Sequence, residues 1–162
     1  VAFDGPAAAA AVTGTLELRL AADPAGQGGF PSLELELLDC AGANRGRARD
    51  VGWTAVPTTR RAVTLDARTG AAVTVARGPL PAGDWDRVFV AAPTVFGVDA
   101  HGVRTPLEAH VEPIARGFSL AAGGEVAVTM QITTRARPAG WGGGWNVFTK
   151  DAWLDGEAPA AP

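Results

Sequence analysis

The sequence is poor in several residue types on which common protein functions depend. It has one cysteine, Cys40, one lysine, Lys150, no tyrosine, two histidines and two serines in 162 residues. A single cysteine excludes an internal disulfide framework and a cysteine-rich zinc site, and no Cys-x-x-Cys-His motif could attach a haem covalently. We expect Cys40 to be a small buried residue at a strand end, with a free reactive thiol as the alternative.

Charge and hydropathy narrow the class of protein further. The formal net charge is −3 at pH 7, whereas nucleic-acid-binding domains are usually basic, so we expect no nucleic-acid partner. No run of 18 apolar residues occurs, so we expect no transmembrane segment, and any membrane association would come through a partner. The apolar fraction is 47%, so the chain can bury a hydrophobic core. A single domain of this mass buries about 68–70% of its unfolded surface, which is enough for independent stability.

Apolar and polar residues alternate along most of the chain, which is typical of half-buried strands. The clearest runs are residues 15–20, 33–37 and 126–132, and 21 glycines and 12 prolines mark turns along the chain. About nine to eleven short strands at this spacing are typical of a sandwich. The pattern therefore predicts an all-β fold: an antiparallel two-sheet β-sandwich with transthyretin-like or immunoglobulin-like architecture.

Three segments depart from this alternation. Residues 1–12 include five consecutive alanines without an amphipathic stripe, so we expect a flexible N-terminal leader from a processed precursor. The β-sandwich domain is expected over 13–154, and 155–162 is expected to be a flexible tail. Within the domain, we expect residues 41–61 to form a long, arginine-rich loop.

Four short motifs follow one another in order along this β-rich region. They are Gly14-Thr15-Leu16-x-Leu18-x-Leu20, Leu80-Pro81-Ala82-Gly83-x-Trp85, Val98-Asp99-Ala100-His101-Gly102 with Pro106-Leu107, and Gly117-Phe118-x-Leu120 before Ala122-Gly123-Gly124. In this order they resemble the DUF4382 family of exported bacterial and archaeal proteins, over residues 13–154. The resemblance implies a transthyretin-like or carboxypeptidase-regulatory-like β-sandwich and an extracytoplasmic location, periplasmic or at the cell surface. Because the family is a domain of unknown function, it implies no catalytic residues.

The sequence carries no recognisable set of catalytic groups. Ser32 follows a proline without the glycines of a nucleophile elbow, and Ser119 lies inside a strand pattern. Glu34 and Glu36 alternate with leucines, which is typical of a solvated strand face. Since covalent hydrolysis needs a nucleophile, a base and an orienting group, we expect a protein that is not an enzyme.

Two pairs of residues are the only candidates for a metal site. His110 and Glu112 are two apart on an expected strand, and Asp99 and His101 bracket an expected turn. Zinc usually takes three or four protein ligands, so neither pair is sufficient by itself. We therefore expect no bound metal and no cofactor.

Two groups of residues are candidates for contact with a partner. Trp141 and Trp145 flank three glycines; they could anchor a protein partner or stack on a sugar, or fold back onto the end of the domain as a plug. The arginine-rich loop could dock on an acidic surface or be merely solvated; its arginines are Arg45, Arg47, Arg49, Arg60 and Arg61. Trp53 and Trp85 each begin an apolar run and are expected in the core.

These observations favour a non-catalytic interaction module, an accessory or structural subunit that docks on a larger extracytoplasmic protein assembly. The alternative is a carbohydrate-binding module that uses the loop tryptophans Trp141 and Trp145. The two hypotheses differ in the chemistry of the partner, which is a protein in one and a glycan in the other. In both, the sheets serve as a scaffold.

Overall fold

In a computed structural model that describes residues 12–45 and 52–157, the chain forms twelve strands and one 3₁₀ turn. The strands are β1 (Thr13–Ala22), β2 (Ser32–Glu36), β3 (Ala41–Asn44), β4 (Trp53–Ala55), β5 (Ala62–Asp66), β6 (Val73–Pro81), β7 (Gly83–Val90), β8 (Thr94–Val98), β9 (Arg104–His110), β10 (Ile114–Leu120), β11 (Glu125–Ala136) and β12 (Trp145–Leu154). The 3₁₀ turn covers Ala139–Trp141. The predicted all-β fold is confirmed.

The strands form two sheets of unequal size. The large sheet has eight strands in the order β5-β2-β8-β9-β12-β11-β1-β6, and the small sheet has four in the order β10-β7-β3-β4. The large sheet curls so far that its two edge strands, β5 and β6, approach within 8 Å between Cα atoms. Residues 57–59 pair along the outer edge of β6, where the Thr59 amide donates to the Val75 carbonyl at 2.8 Å.

The expectation of antiparallel pairing throughout is wrong at two places. β1 pairs with β11 in parallel, with Leu18 beside Val128, and β12 pairs with β9 in parallel, with Asn146 beside Glu108. Alternation along a strand determines which side chains are buried, but it carries no information about the direction of the neighbouring strand. The large sheet is therefore mixed.

The expectation of a loop over residues 41–61 is also wrong, because β3 and β4 lie within it. All four residues of β3 are buried, so the strand lacks the alternation that reveals a half-buried strand. Residues 46–51 lie outside the described part of the chain. So do residues 1–11 and 158–162, on which most of the expected leader and part of the expected tail fall.

Buried apolar residues of both sheets form one hydrophobic core in the described part of the chain. Leu16, Leu18 and Leu20 of β1 are fully buried there, as their alternation predicts. Trp85 and Phe118 of the small sheet join the same cluster. Trp53 is also fully buried but lies outside this cluster, where it contacts Phe89 edge-on at 6.0 Å between ring centroids.

The single lysine of the chain joins the end of β1 to β12. Lys150 Nζ donates to Asp23 Oδ2 at 2.9 Å, and the Thr133 hydroxyl donates to the same oxygen at 2.9 Å. The Ala25 amide donates to the other carboxylate oxygen at 3.0 Å. Lys150 is the additional residue of a β-bulge, because Gln131 pairs with Asp151 whereas the next residue pairs with Thr149.

This network keeps the Asp23 carboxyl group ionised, although its side chain is only 7% exposed. Burial alone would raise the pKa of Asp23, but the hydrogen bonds from Lys150, Ala25 and Thr133 outweigh it, so that the pKa is lowered. Burying an ion pair costs the desolvation of both charges. Removing only one partner is strongly destabilising, because the other charge stays buried without compensation. We call this network of Asp23, Ala25, Thr133 and Lys150 the Asp23 clasp.

Replacing Lys150 with methionine is expected to leave the Asp23 carboxylate without its cation. The free energy of unfolding at pH 7 should fall by about 1–3 kcal/mol, less than for a fully buried pair, because 33% of the Lys150 side chain is exposed. Urea denaturation measures the change. Arg104→Met is the matched control, because it breaks the more exposed ion pair with Glu34 and should lower the free energy of unfolding by less than about 1 kcal/mol. Equal losses of stability in the two variants would contradict a special role for the clasp.

The loss should also depend on pH in a defined direction. Since the pKa of Asp23 is lower in the folded protein than in the unfolded chain, the clasp stabilises the fold above the unfolded carboxyl pKa of about 3.9. That contribution disappears as the pH falls through the lowered value. The difference in stability between the wild type and Lys150→Met should therefore shrink as the pH falls toward and below about 4.

Candidate functional site

The strand directions bring four loops to one end of the large sheet. Because β9 and β12 are parallel, the turn before β9 and the loop before β12 lie at the same end. The parallel pairing of β1 with β11, together with the antiparallel pairing of the other strands of the large sheet, adds the β1–β2 and β5–β6 loops to them. We call this end the loop end; it comprises residues 23–31, 67–72, 99–103 and 137–144. The connections to the small sheet lie at the opposite end.

Trp141 projects from the β11–β12 loop into solvent. It ends the 3₁₀ turn and is 77% exposed. Arg137 closes the loop twice, since its amide donates to the Gly144 carbonyl and its guanidinium to the Trp141 carbonyl, both at 2.9 Å. Residues 142–144 have φ values of 92°, 64° and 86°, which glycine adopts without strain. The loop is thus tied at its base, with the indole held outside.

Trp145, in contrast, packs into the mouth of the curled sheet. It is half-buried, and its ring meets that of Phe30 edge-on at 5.8 Å between centroids. Phe30 lies directly over Gly97, where an added Cβ would be 2.6 Å from the ring. The two tryptophans that flank the glycines therefore differ. Trp145 folds back onto the end of the domain, and Trp141 is exposed and able to contact a partner.

Two neighbours of Trp141 at the loop end were not singled out from the sequence. Val103 is 58% exposed in the β8–β9 turn, immediately before β9 begins at Arg104. Arg137 forms an ion pair with Glu108 at 2.8 Å. No sequence pattern indicates that a single valine or arginine beside a turn will lie near an exposed tryptophan.

The three described arginines of this group, Arg45, Arg60 and Arg61, lie at the opposite end of the molecule from the exposed tryptophan. The Arg45 guanidinium lies 3.9 Å from the centroid of the Trp85 ring and donates to the carbonyls of Pro81 and Ala82 at 3.0 and 2.8 Å. Arg60 and Arg61 are exposed just before β5, and Arg47 and Arg49 lie outside the described residues. The structure therefore does not bring Arg45, Arg60 and Arg61 together with the tryptophans in one site, and Arg45 already has contacts within the chain.

The polar side chains considered for metal binding or catalysis have other contacts. Asp99 Oδ1 accepts the backbone amides of His101 and Val103 at 2.8 and 2.9 Å, forming the β8–β9 turn. The expectation that Glu112 shares a strand with His110 is wrong, because β9 ends at His110. Over residues 12–45 and 52–157, no group of three histidine, cysteine or acidic side chains is placed to hold a metal ion.

Ser119 and Cys40 also carry nucleophilic side-chain atoms. The Ser119 hydroxyl donates to the Asp84 carboxylate at 2.5 Å on the surface of the small sheet. Cys40 is partly exposed between β2 and β3, less buried than expected. Burial raises the pKa of its thiol, and the charge of Asp39 acts in the same direction, which keeps the thiol protonated and weakly nucleophilic.

Comparisons with protein-family models, with curated proteins and with solved structures give no match. The resemblance to the DUF4382 family accordingly stays a prediction. In the described part of the chain, no helix has the length and apolar character needed to cross a membrane.

The two loop tryptophans should differ in their contribution to stability. Trp145→Ala removes the edge contact with Phe30 and leaves space in the mouth of the sheet, so we expect a loss of about 1–3 kcal/mol. Trp141→Ala removes a side chain that is 77% exposed and should change the free energy of unfolding by no more than about 0.5 kcal/mol. Urea denaturation of the two variants compares them directly, and losses of similar size would refute the division of roles.

Arg45 should behave as a structural residue, unlike the other arginines near it. Arg45→Ala removes the contact with Trp85 and two hydrogen bonds to carbonyls, and is expected to cost about 1 kcal/mol. Arg60→Ala and Arg61→Ala are the matched controls and should stay within about 0.5 kcal/mol of the wild type. Thermal unfolding monitored by near-ultraviolet circular dichroism, which reports the packing of the aromatic side chains, would show the difference. No loss of stability in Arg45→Ala would disprove it.

Proposed function

We propose that this protein is a non-catalytic interaction module, an accessory or structural subunit that docks on a larger extracytoplasmic protein assembly through its loop end. The observation that carries the proposal is Trp141, which is 77% exposed on a loop closed by Arg137. A tryptophan offers a large contact area with few rotatable bonds, and interface hot spots are enriched in this residue. Because the loop is held before a partner arrives, docking loses little conformational entropy.

The arrangement of the loop end supports a protein partner more than a glycan. A sugar platform of two tryptophans would need both ring faces exposed, but Trp145 is half-buried against Phe30. Val103, 58% exposed on the neighbouring turn, adds apolar surface of the kind that protein interfaces bury. Glycan binding by Trp141 alone remains the second hypothesis, and the net charge of −3 supports a partner other than nucleic acid.

The resemblance to the DUF4382 family supports the proposed location. On this proposal the two sheets and their common core form a sandwich of the transthyretin-like or immunoglobulin-like kind, exported beyond the cytoplasmic membrane. The sheets serve as a rigid scaffold, and recognition is confined to the loops, which is a common division of roles in β domains.

The proposal predicts that Trp141 decides which proteins the module retains. Tagged wild-type chain, Trp141→Ala and Leu38→Ala would be incubated with a cell-envelope extract and the retained proteins quantified by mass spectrometry. Leu38 is the matched control, since it is 53% exposed at the opposite end of the large sheet. We expect a protein retained by the wild type and Leu38→Ala that falls about tenfold or more with Trp141→Ala.

Two outcomes would count against a protein partner at the loop end. One is retention of the same proteins by the wild type and Trp141→Ala. The other is a saturable change in tryptophan fluorescence on titration with oligosaccharides that Trp141→Ala abolishes, which would favour the glycan hypothesis.

A further inference from the structure

A cavity of about 220 Å³ opens at the loop end, between the β1–β2 and β5–β6 loops. Leu33 of β2 and Ile132 of β11 lie at its base, on strands that the curl of the large sheet places opposite each other. Apolar side chains of the two loops form part of the remaining wall: Pro24, Phe30, Pro31 and Ala67. Its position resembles the mouth of a β-barrel, where small-molecule sites are frequent.

The loops around this cavity are irregular but firmly held. The Ala67 amide donates to the Pro31 carbonyl at 2.9 Å, which ties one loop to the other. The Gln27 amide donates to the Thr134 carbonyl at 2.8 Å, and the Gln27 side chain accepts the Ala136 amide at 2.7 Å. The Asp23 clasp fixes the start of the same loop. Such a cavity is formed before a ligand arrives, which favours binding.

The polar atoms in the wall have partners within the protein. The buried oxygen of Asp23 accepts hydrogen bonds from Lys150 and Thr133. The Thr134 hydroxyl donates to the Gln27 carbonyl. The apolar part of the wall therefore suits a hydrophobic group, and the size suits a ring, since a cavity of about 150 Å³ holds benzene in another protein.

The rim of the cavity carries one positive charge. The Arg68 side chain is 75% exposed, and its one contact that we find within the described residues is a long one, 3.5 Å from Nε to Asp66 Oδ1. Asp66 uses that same oxygen to accept the backbone amides of Arg68 and Thr69 at 2.8 and 3.4 Å. The outer nitrogens of the guanidinium are thus able to meet a carboxylate at the cavity mouth.

We propose that this cavity binds a small aromatic carboxylate, with its ring between the prolines and Phe30 and its carboxylate at Arg68. The site lies beside Trp145 but does not include Trp141. It goes beyond the proposed docking function and does not depend on it.

The chain's two isoleucines allow a direct test by methyl NMR. Ile132 lies at the base of the cavity, whereas Ile114 lies on β10 of the small sheet. Titration of the full chain with phenylacetate should shift the Ile132 δ1-methyl resonance in a saturable way and leave Ile114 unchanged. Benzylamine, with the opposite charge, should bind more weakly. No shift of Ile132, or equal shifts of both methyl groups, overturns the proposal.

Three variants locate the bound molecule. Ala67→Phe fills the cavity and should abolish the Ile132 shift, while Ala100→Phe, an exposed alanine of the β8–β9 turn, should not. Arg68→Ala should weaken phenylacetate binding about two- to fivefold, as expected for an exposed ion pair, and remove the preference over benzylamine.

Unchanged binding of phenylacetate in both Ala67→Phe and Arg68→Ala overturns the site. Trp141→Ala should bind phenylacetate normally, which separates this site from the docking function.

Discussion

Two parallel strand pairings determine where the loops of this protein lie. Had β12 run antiparallel to β9, the loop carrying Trp141 would lie among the connections to the small sheet. The parallel pairing of Asn146 with Glu108 instead places it beside the β8–β9 turn. The parallel pairing of β1 with β11 brings the β1–β2 loop to the same end. Because these strands are far apart in the chain, the arrangement depends on tertiary pairing and not on local hairpins.

The loop end formed in this way combines rigidity with exposure. Lys150 and Asp23, 127 residues apart, meet there in an ion pair whose carboxylate is only 7% exposed. Buried ion pairs often contribute little net stability, so their value lies in the geometry that they impose. Here that geometry is the course of the β1–β2 loop, whose Phe30 both lines the cavity and contacts Trp145. Trp141 stands clear of this packing.

The sequence predicts features that arise within one strand, and it does not predict those that arise from contacts between strands distant in the chain. The leucines of β1 alternate with polar residues, and their burial follows from that alternation alone. The four buried residues of β3 show no alternation, so they resembled a loop. Trp141 and Trp145 border the same glycines and could not be told apart. Trp145 lies opposite Ala136 on the inward face, where Gly97 leaves room for Phe30, a contact across strands that no local pattern contains.

The most direct test of this account is the distance between Val103 and Trp141. Spin labels on Val103→Cys and Trp141→Cys, in a Cys40→Ala background, report it by double electron–electron resonance. Since the two loops precede parallel neighbouring strands, the account predicts a separation of about 20 Å or less at a rise of about 3.3 Å per residue. A separation of about 35 Å or more would place the loops at opposite ends of the sheet and contradict the account.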